Sequence, residues 1–238
     1  MIEKWFFVRY FDPKPHIRLR FKIAKKIDIS LVLKLVYNIL KCDLQEQLIA
    51  SIKIDTYERE IERYGSQTID LSETLFGLDS ETTLGFLSYN ENLAEDKRWL
   101  YGLFCIDAFL NAFGYKVEDK IRLLNALHSS FRKEFSINDD FNQDLNVKFK
   151  KHAKEIESIM NLDTTEESIA LIVQFVNDKR LVIEPVAKII IEILNDDVSR
   201  RDALISSYIH MFYNRLFISD QRLYELVLYG FYLKLVVK

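Results

Sequence analysis

The chain has 238 residues, of which 49% are hydrophobic, so it is long and apolar enough to bury a substantial core. Its 33 Lys and Arg residues stand against 36 Asp and Glu residues, and the net charge of -3 argues against a protein that mainly coats nucleic-acid phosphates. Cys42 and Cys105 lack the spacing of a disulfide framework or a zinc site, and there is neither a signal-peptide pattern nor an apolar run of about eighteen residues. We therefore expect a globular cytoplasmic protein with no membrane span and no direct nucleic-acid partner.

A β-hairpin is predicted at the N-terminus. An aromatic run over residues 4–11 meets the segment HIRLRFKI across DPKP, whose two prolines favour a turn. Successive side chains of a strand point to opposite faces, so the second strand carries basic residues on one face and apolar residues on the other. The basic set is His16, Arg18, Arg20 and Lys22, and the apolar set is Ile17, Leu19, Phe21 and Ile23. We expect the apolar face to pack on the core and the basic face to form a cationic surface.

A helix and a third strand should follow the hairpin. Asp28 or Ser30 can cap a helix over LVLKLVYNIL, where apolar residues recur at helical spacing. The alternation that begins at Ala50 then predicts a strand that returns to the hairpin and ends at Gly65. Residues 1–65 are therefore predicted as an antiparallel ββαβ unit.

Helices should dominate residues 66–238, since apolar stripes with a 3.6-residue period run through this part. We expect them near residues 82–91, 94–114, 116–135, 141–161, 165–177, 185–196, 200–217 and 221–237. Gly114 is a candidate C-cap, Thr164 or Thr165 a candidate N-cap, and Pro185 a helix start. Because no linker or internal repeat divides the chain, we predict one compact α+β domain over residues 1–238.

Two clusters in the first part could carry chemistry. Arg18 and Arg20 present planar guanidinium groups one strand step apart, which suits a small carboxylate or phosphate, although a solvated sheet face explains the same alternation. In TYEREIERYG, a continuing strand would place Arg59 and Arg63 on one face and Glu60 on the other. A helical turn would instead make Glu60 and Arg63 neighbours, and the sequence leaves both readings open.

The third cluster lies in SSYIHMFYNRLF. On a helix, Ser207, His210 and Asn214 form a polar stripe at i, i+3 and i+7 through an otherwise apolar segment. Histidine titrates near neutrality, so His210 can transfer a proton; a core histidine that bonds to Asn214 is the structural alternative.

The ordered set WFFVRYFDPKPHIRLRF, YEREIERYG and HMFYNRL resembles the small C-terminal domain of class I lantibiotic dehydratases, also called the thiopeptide-type bacteriocin biosynthesis domain. The resemblance runs from Trp5 to the final helix, and Ser66 stands where the family often has a second glycine. It implies a stand-alone glutamate-elimination enzyme without metal or organic cofactor. Its partners would be a glutamylated precursor peptide and a separate tRNA-dependent glutamylation protein, and it could form a homodimer.

The resemblance also implies roles for individual residues. Its elimination residues fall on Arg18 or Arg20, on Glu60 and Arg63, and on His210. Fixed positive charge would stabilise the developing enolate and the departing carboxylate, so we expect Arg20 and Arg63 at carboxylates, Glu60 near the ammonium group and His210 at the transferred proton. Asn214 would orient His210. The expected substrate-binding set is Arg9, Arg18, Arg59 and Asn214.

Two alternatives remain. Related single-domain members of thiopeptide pathways act as pyridine synthases, which join two dehydroalanines in a formal [4+2] cycloaddition and release the leader peptide. Such an enzyme expels no glutamate and has less need of the Arg, Glu and His set. A non-catalytic scaffold that holds the precursor peptide is the other alternative.

Overall fold

A computed structural model describes residues 2–89, 91–161 and 165–236. Strands β1 (Ile2–Tyr10) and β2 (His16–Ile23) form an antiparallel sheet, and the predicted single α+β domain is confirmed. The helices that follow are α1 (Ile29–Gln45), α2 (Ile61–Tyr64), α3 (Ile69–Tyr89), α4 (Glu91–Ala112), α5 (Val117–Glu134), α6 (Asp139–Lys151), α7 (Ala153–Met160), α8 (Glu167–Leu194), α9 (Val198–Leu216) and α10 (Gln221–Val236). None of the helices in these ranges has the length and apolar character to cross a membrane.

The predicted alternation of β2 is present, but the expectation about which face is buried is wrong. Arg20 lies opposite Phe6 and Arg18 opposite Val8, so these arginines share a face with two core residues of β1. The apolar side chains of Ile17 and Leu19, on the other face, are 57% and 45% exposed. The reason is that β1 packs against the helices and supplies the apolar contacts, whereas β2 is the outer strand.

The predicted third strand does not form. Residues 50–60 contain neither helix nor strand, and α2 follows them directly. Side chains hold this segment instead of a backbone ladder: the Tyr57 ring packs edge-on against Phe6 at 5.6 Å between centroids, and Arg59 bonds to α3. The ββαβ prediction therefore reduces to a hairpin followed by a helix.

The free edge of β1 is bound by side chains from α3 and α9. The Phe7 N–H donates to Ser80 Oγ at 3.3 Å, and Arg215 Nε donates to the Phe7 carbonyl at 2.9 Å. Two residues along, the Asn214 amide accepts from the Arg9 N–H and donates to the Arg9 carbonyl, both at 2.8 Å. Because an edge strand leaves alternate backbone groups unpaired, these bonds seal the edge and fix the hairpin on the helices.

Several predicted helix boundaries needed correction. Residues 141–161 were expected to form one helix but contain α6 and α7, which meet at His152. The two helices expected around Pro185 are one continuous α8, with Pro185 inside it. Buried positions on both sides of the proline, such as Ile183 and Ala187, hold the helix together although Pro185 cannot donate a backbone hydrogen bond.

The structure places Asp28 and Gly114 at helix ends as predicted and assigns a different N-cap to α8. Asp28 is the N-cap of α1 and accepts from the Ser30 N–H at 2.8 Å, as predicted. Gly114, just after α4, has a φ of +72°, which a C-terminal glycine allows. The N-cap of α8 is Glu166 and not Thr165, while Thr164 lies outside the described residues.

A buried ionic cluster lies beneath the hairpin. Asp79 of α3 accepts from Arg215 Nη1 at 3.0 Å and from Lys179 of α8, and the Lys179 ammonium lies 4.1 Å from the centre of the Phe212 ring. Burial lowers the pKa of Arg215, and Asp79 opposes that effect. Because Arg215 also bonds to Phe7, the cluster joins α3, α8, α9 and β1.

Candidate functional site

His210 is paired with a carboxylate that sequence reasoning missed. Its Nδ1 lies 2.7 Å from Oε1 of Glu225 on α10. The Glu225 side chain is 2% exposed and that of His210 is 36% exposed, so a buried acid holds a partly accessible imidazole. The other Glu225 oxygen accepts from the Tyr229 hydroxyl at 3.1 Å. The ring therefore has a defined orientation, which proton transfer requires.

The polar stripe on α9 lies where the spacing predicted. Ser207, His210 and Asn214 are all partly exposed. The expectation that Asn214 orients His210 is wrong, because both ends of the Asn214 amide bind the backbone of Arg9. The only sequence signal for Glu225 was its position as the single carboxylate in the apolar helix α10.

Arg18 and Arg20 rest on aromatic rings. The Arg18 guanidinium lies 3.9 Å from the centre of the Tyr10 ring, and its Nε donates to Nε2 of His16 at 3.1 Å. The Arg20 guanidinium lies 5.1 Å from the Tyr57 ring. Within the described ranges neither arginine forms an ion pair, so both remain available to an anion.

The YEREIERYG motif adopts the helical-turn alternative. Arg63 Nη1 lies 3.1 Å from Glu60 Oε2, and both side chains are about half exposed. Arg59 instead binds α3: its Nε donates to Glu73 at 2.7 Å and its Nη2 donates to Asp70 at 2.7 Å. The hydrogen bond to Glu73 is the main cause of the raised pKa of Arg59. Arg59 thus anchors the motif, while Glu60 and Arg63 face solvent.

Aromatic contacts connect the three motifs. Arg20 lies over Tyr57, and Tyr64 of α2 stacks on Tyr208 of α9 with 5.8 Å between ring centroids. Burial, with smaller contributions from nearby glutamates, raises the pKa of Tyr57 and of Tyr64 to about 12, so both phenols are protonated at neutral pH. The three motifs are therefore neighbours through these contacts. Among the described contacts, His210 bonds directly to neither Arg20 nor Arg63.

Arg9 lies at the end of α9. Its Nε donates to the carbonyl of Arg215 at 3.2 Å, and burial together with the nearby Arg98 lowers its pKa. A helix C-terminus attracts cations, so Arg9 stabilises the junction of β1 with α9.

A cavity of about 330 Å³ lies elsewhere, between α4, α8 and α10, with Asp107, Val173 and Tyr232 in its wall. None of the candidate residues lines this cavity. His210, Arg20, Glu60 and Arg63 lie instead on partly or largely accessible surface.

Similarity to known proteins covers almost the whole chain. It is 29% identical over 236 residues to the subtilin biosynthesis protein SpaB of Bacillus subtilis, a match that covers 94% of this chain and 21% of SpaB. It is 38% identical over 92 residues to the nisin biosynthesis protein NisB of Lactococcus lactis subsp. lactis, covering 38% of this chain and 9% of NisB. The chain therefore spans about a fifth or less of the length of these relatives.

A solved structure shares the fold. The tRNA dependent lantibiotic dehydratase MibB from Microbispora sp. 107891 superposes with a TM-score of 0.70 at 21% identity, over 97% of this chain and 24% of MibB. The family model described as lantibiotic biosynthesis dehydratase C-term matches residues 2–236. With that match over nearly its full length, the chain belongs to the family of lantibiotic biosynthesis dehydratase C-terminal regions.

Proposed function

We propose that the protein eliminates glutamate from glutamylated Ser or Thr residues of a ribosomally made precursor peptide. The products would be dehydroalanine and dehydrobutyrine, in the biosynthesis of a lanthipeptide or thiopeptide. The single observation that carries the proposal is the pairing of the accessible His210 ring with the buried Glu225 carboxylate in a member of this family.

The reaction breaks two bonds and forms one π bond. The proton leaves Cα, the electron pair of that bond forms the Cα=Cβ double bond, and the Cβ–O bond breaks so that glutamate departs as a carboxylate. His210 is the proton-transfer residue, and Glu225 holds its ring and stabilises the imidazolium that forms when His210 accepts a proton. No oxidant or reductant is consumed.

The charges of the departing glutamate suggest roles for Glu60, Arg63 and Arg20. A glutamate expelled from its α-carboxyl ester carries two carboxylates and one ammonium group at neutral pH. Glu60 and Arg63, 3.1 Å apart and half exposed, present one negative and one positive charge to such a zwitterion. Arg20, which has an aromatic support and no carboxylate partner in the described structure, is suited to the second carboxylate or to the developing enolate.

The glutamyl group would come from a partner. In this proposal a separate protein uses glutamyl-tRNA to esterify the precursor peptide, and the present chain acts on the ester. The description of MibB as tRNA dependent supports this source of the glutamyl group.

The decisive experiment mixes the purified protein with a purified glutamylated peptide and follows the peptide mass. Loss of glutamate, abolished by His210→Ala, is the expected result. An unchanged mass would favour a scaffold, and ring closure with release of the leader peptide would favour a pyridine synthase.

A further inference from the structure

Helix α1 is largely uncovered although most of its residues are apolar. Val32 is its only fully buried residue, and no other helix or strand in the described ranges packs extensively against it. The exposed large side chains of α1 are Ile29, Leu31, Leu33, Leu35, Tyr37 and Ile39. Helices of this composition are normally covered.

The polar residues of α1 occupy a single stripe: Ser30, Lys34, Asn38, Lys41 and Gln45. At 100° per residue, apolar side chains occupy about two-thirds of the helix circumference, interrupted mainly by Asp43. We call this part of the surface the apolar arc. A helix that packs on one flat surface needs an apolar stripe of about 100°. The protein itself covers the middle of this arc, where Val32 is buried and Val36 and Leu40 are half-buried, so the exposed apolar side chains lie on both flanks of that line. A partner of α1 would therefore contact the helix on two sides.

The surrounding sequence shares this character. Of the 26 large hydrophobic residues exposed in the described chain, 12 lie within residues 11–54, which is less than a fifth of its length. The same segment has nine Lys and Arg residues and four Asp and Glu residues, in a chain whose net charge is -3. Its partner should accordingly offer an apolar groove with an acidic rim.

We propose that α1 is the docking element for the glutamylating component of the dehydratase, an inference that rests on the proposed function. The dehydratase relatives carry this region as only 21–24% of a longer polypeptide, so a large folded part accompanies it there. A folded protein can contact both exposed flanks of a helix, which a single extended peptide cannot. A symmetric second copy is disfavoured because it would oppose two basic segments.

The test compares two doubly substituted proteins. Leu35→Glu with Ile39→Glu changes the apolar arc at side chains that are 48% and 65% exposed, so the fold of the protein should not depend on them. Ser30→Glu with Asn38→Glu adds the same negative charge on the polar stripe and is the matched control. The probe is the purified tRNA-dependent glutamylation protein of the same organism, and its Kd for each protein is measured by calorimetry.

We expect the arc variant to weaken binding at least tenfold, with the control within about threefold of the unchanged protein. Both variants should still release glutamate from a free glutamylated peptide at the unchanged rate. Equal affinity for both variants, loss of self-association instead of partner binding, or an effect confined to precursor-peptide binding would each overturn the docking proposal. Failure of the unchanged protein to release glutamate would instead reject the proposed function, since the affinity measurement does not depend on that reaction.

Discussion

His210 and Glu225 lie on consecutive helices, and the 2.7 Å contact between Nδ1 and Oε1 joins an accessible imidazole to a buried carboxylate. The hydroxyl of Tyr229 satisfies the second oxygen of Glu225, so the acid is fixed before any substrate arrives. In the proposed mechanism His210 contacts the substrate and Glu225 positions the His210 ring.

Glu225→Gln should therefore lower the elimination rate without preventing folding. Glutamine keeps the shape of the side chain but cannot compensate the charge of an imidazolium. We expect a loss of about 10²-fold in kcat with little change in KM, whereas His210→Ala should lose about 10²- to 10⁴-fold. Steady-state kinetics on a glutamylated peptide measure both, and an unaltered kcat in Glu225→Gln would remove Glu225 from the mechanism.

Asn214 is predicted to act on stability and not directly on the substrate. Asn214→Asp replaces the donor to the Arg9 carbonyl with an acceptor. The edge of β1 therefore loses one hydrogen bond and gains a repulsion between the carboxylate and the carbonyl oxygen. The free energy of unfolding should fall by about 1–3 kcal/mol, measured by urea denaturation. Full stability combined with a raised KM would instead assign Asn214 to substrate binding.

Asp79 is predicted to be indispensable because it alone neutralises two buried cations in the described cluster. Asp79→Asn should cost about 3–5 kcal/mol of unfolding free energy. The matched change Lys179→Met leaves Asp79 and Arg215 as a balanced pair and should alter stability by no more than about 1 kcal/mol. Equal losses in the two variants would show that packing, and not charge, dominates there.

Gly77 of α3 allows a close approach of the hairpin. A Cβ at this position would lie 3.0 Å from the backbone carbonyl oxygen of Trp5, which cannot move without shifting β1. Gly77→Ala should destabilise the protein by about 1–3 kcal/mol. Gly85→Ala, on the same helix with open space around the new Cβ, should stabilise it by about 0.5–1 kcal/mol. A thermal melt of each variant checks both signs, and a higher melting temperature for Gly77→Ala would contradict the proposed contact.

His128 should make stability depend on pH below neutrality. Burial, followed by the charges of Arg132 and Lys234, lowers its pKa below the ordinary value of 6.5. The unfolded chain then takes up a proton at His128 before the folded protein does, so stability from this group is complete above pH 6.5 and declines as the pH falls. Urea denaturation between pH 7.5 and 5.0 should show a shallower decline in His128→Gln, and identical slopes would exclude a contribution from His128.

Local periodicity in the sequence determined much of this protein. The two-residue alternation of β2, the helical periodicity of α4, α5, α9 and α10 and the Asp28 cap appear where they were predicted, because they depend on neighbours along the chain. The first half of α3, before residue 82, was not predicted. The family resemblance rested on the three motifs in order, and the family match confirmed it. The roles of Arg20, Arg63 and His210 remain proposals.

Only the tertiary structure decided which partners these residues meet. The exposure of Ile17 and Leu19 on β2 follows from the position of β1 between β2 and the helices. In place of the predicted third strand, side-chain anchors such as Arg59 to Glu73 hold residues 50–60. His210 is oriented by an acid on the next helix, and Asn214 binds a strand 205 residues away in sequence. A periodic pattern specifies whether a segment forms a helix or a strand and which of its residues share a face. Long-range packing, and the need to satisfy buried polar groups, decide which part of the protein each face contacts.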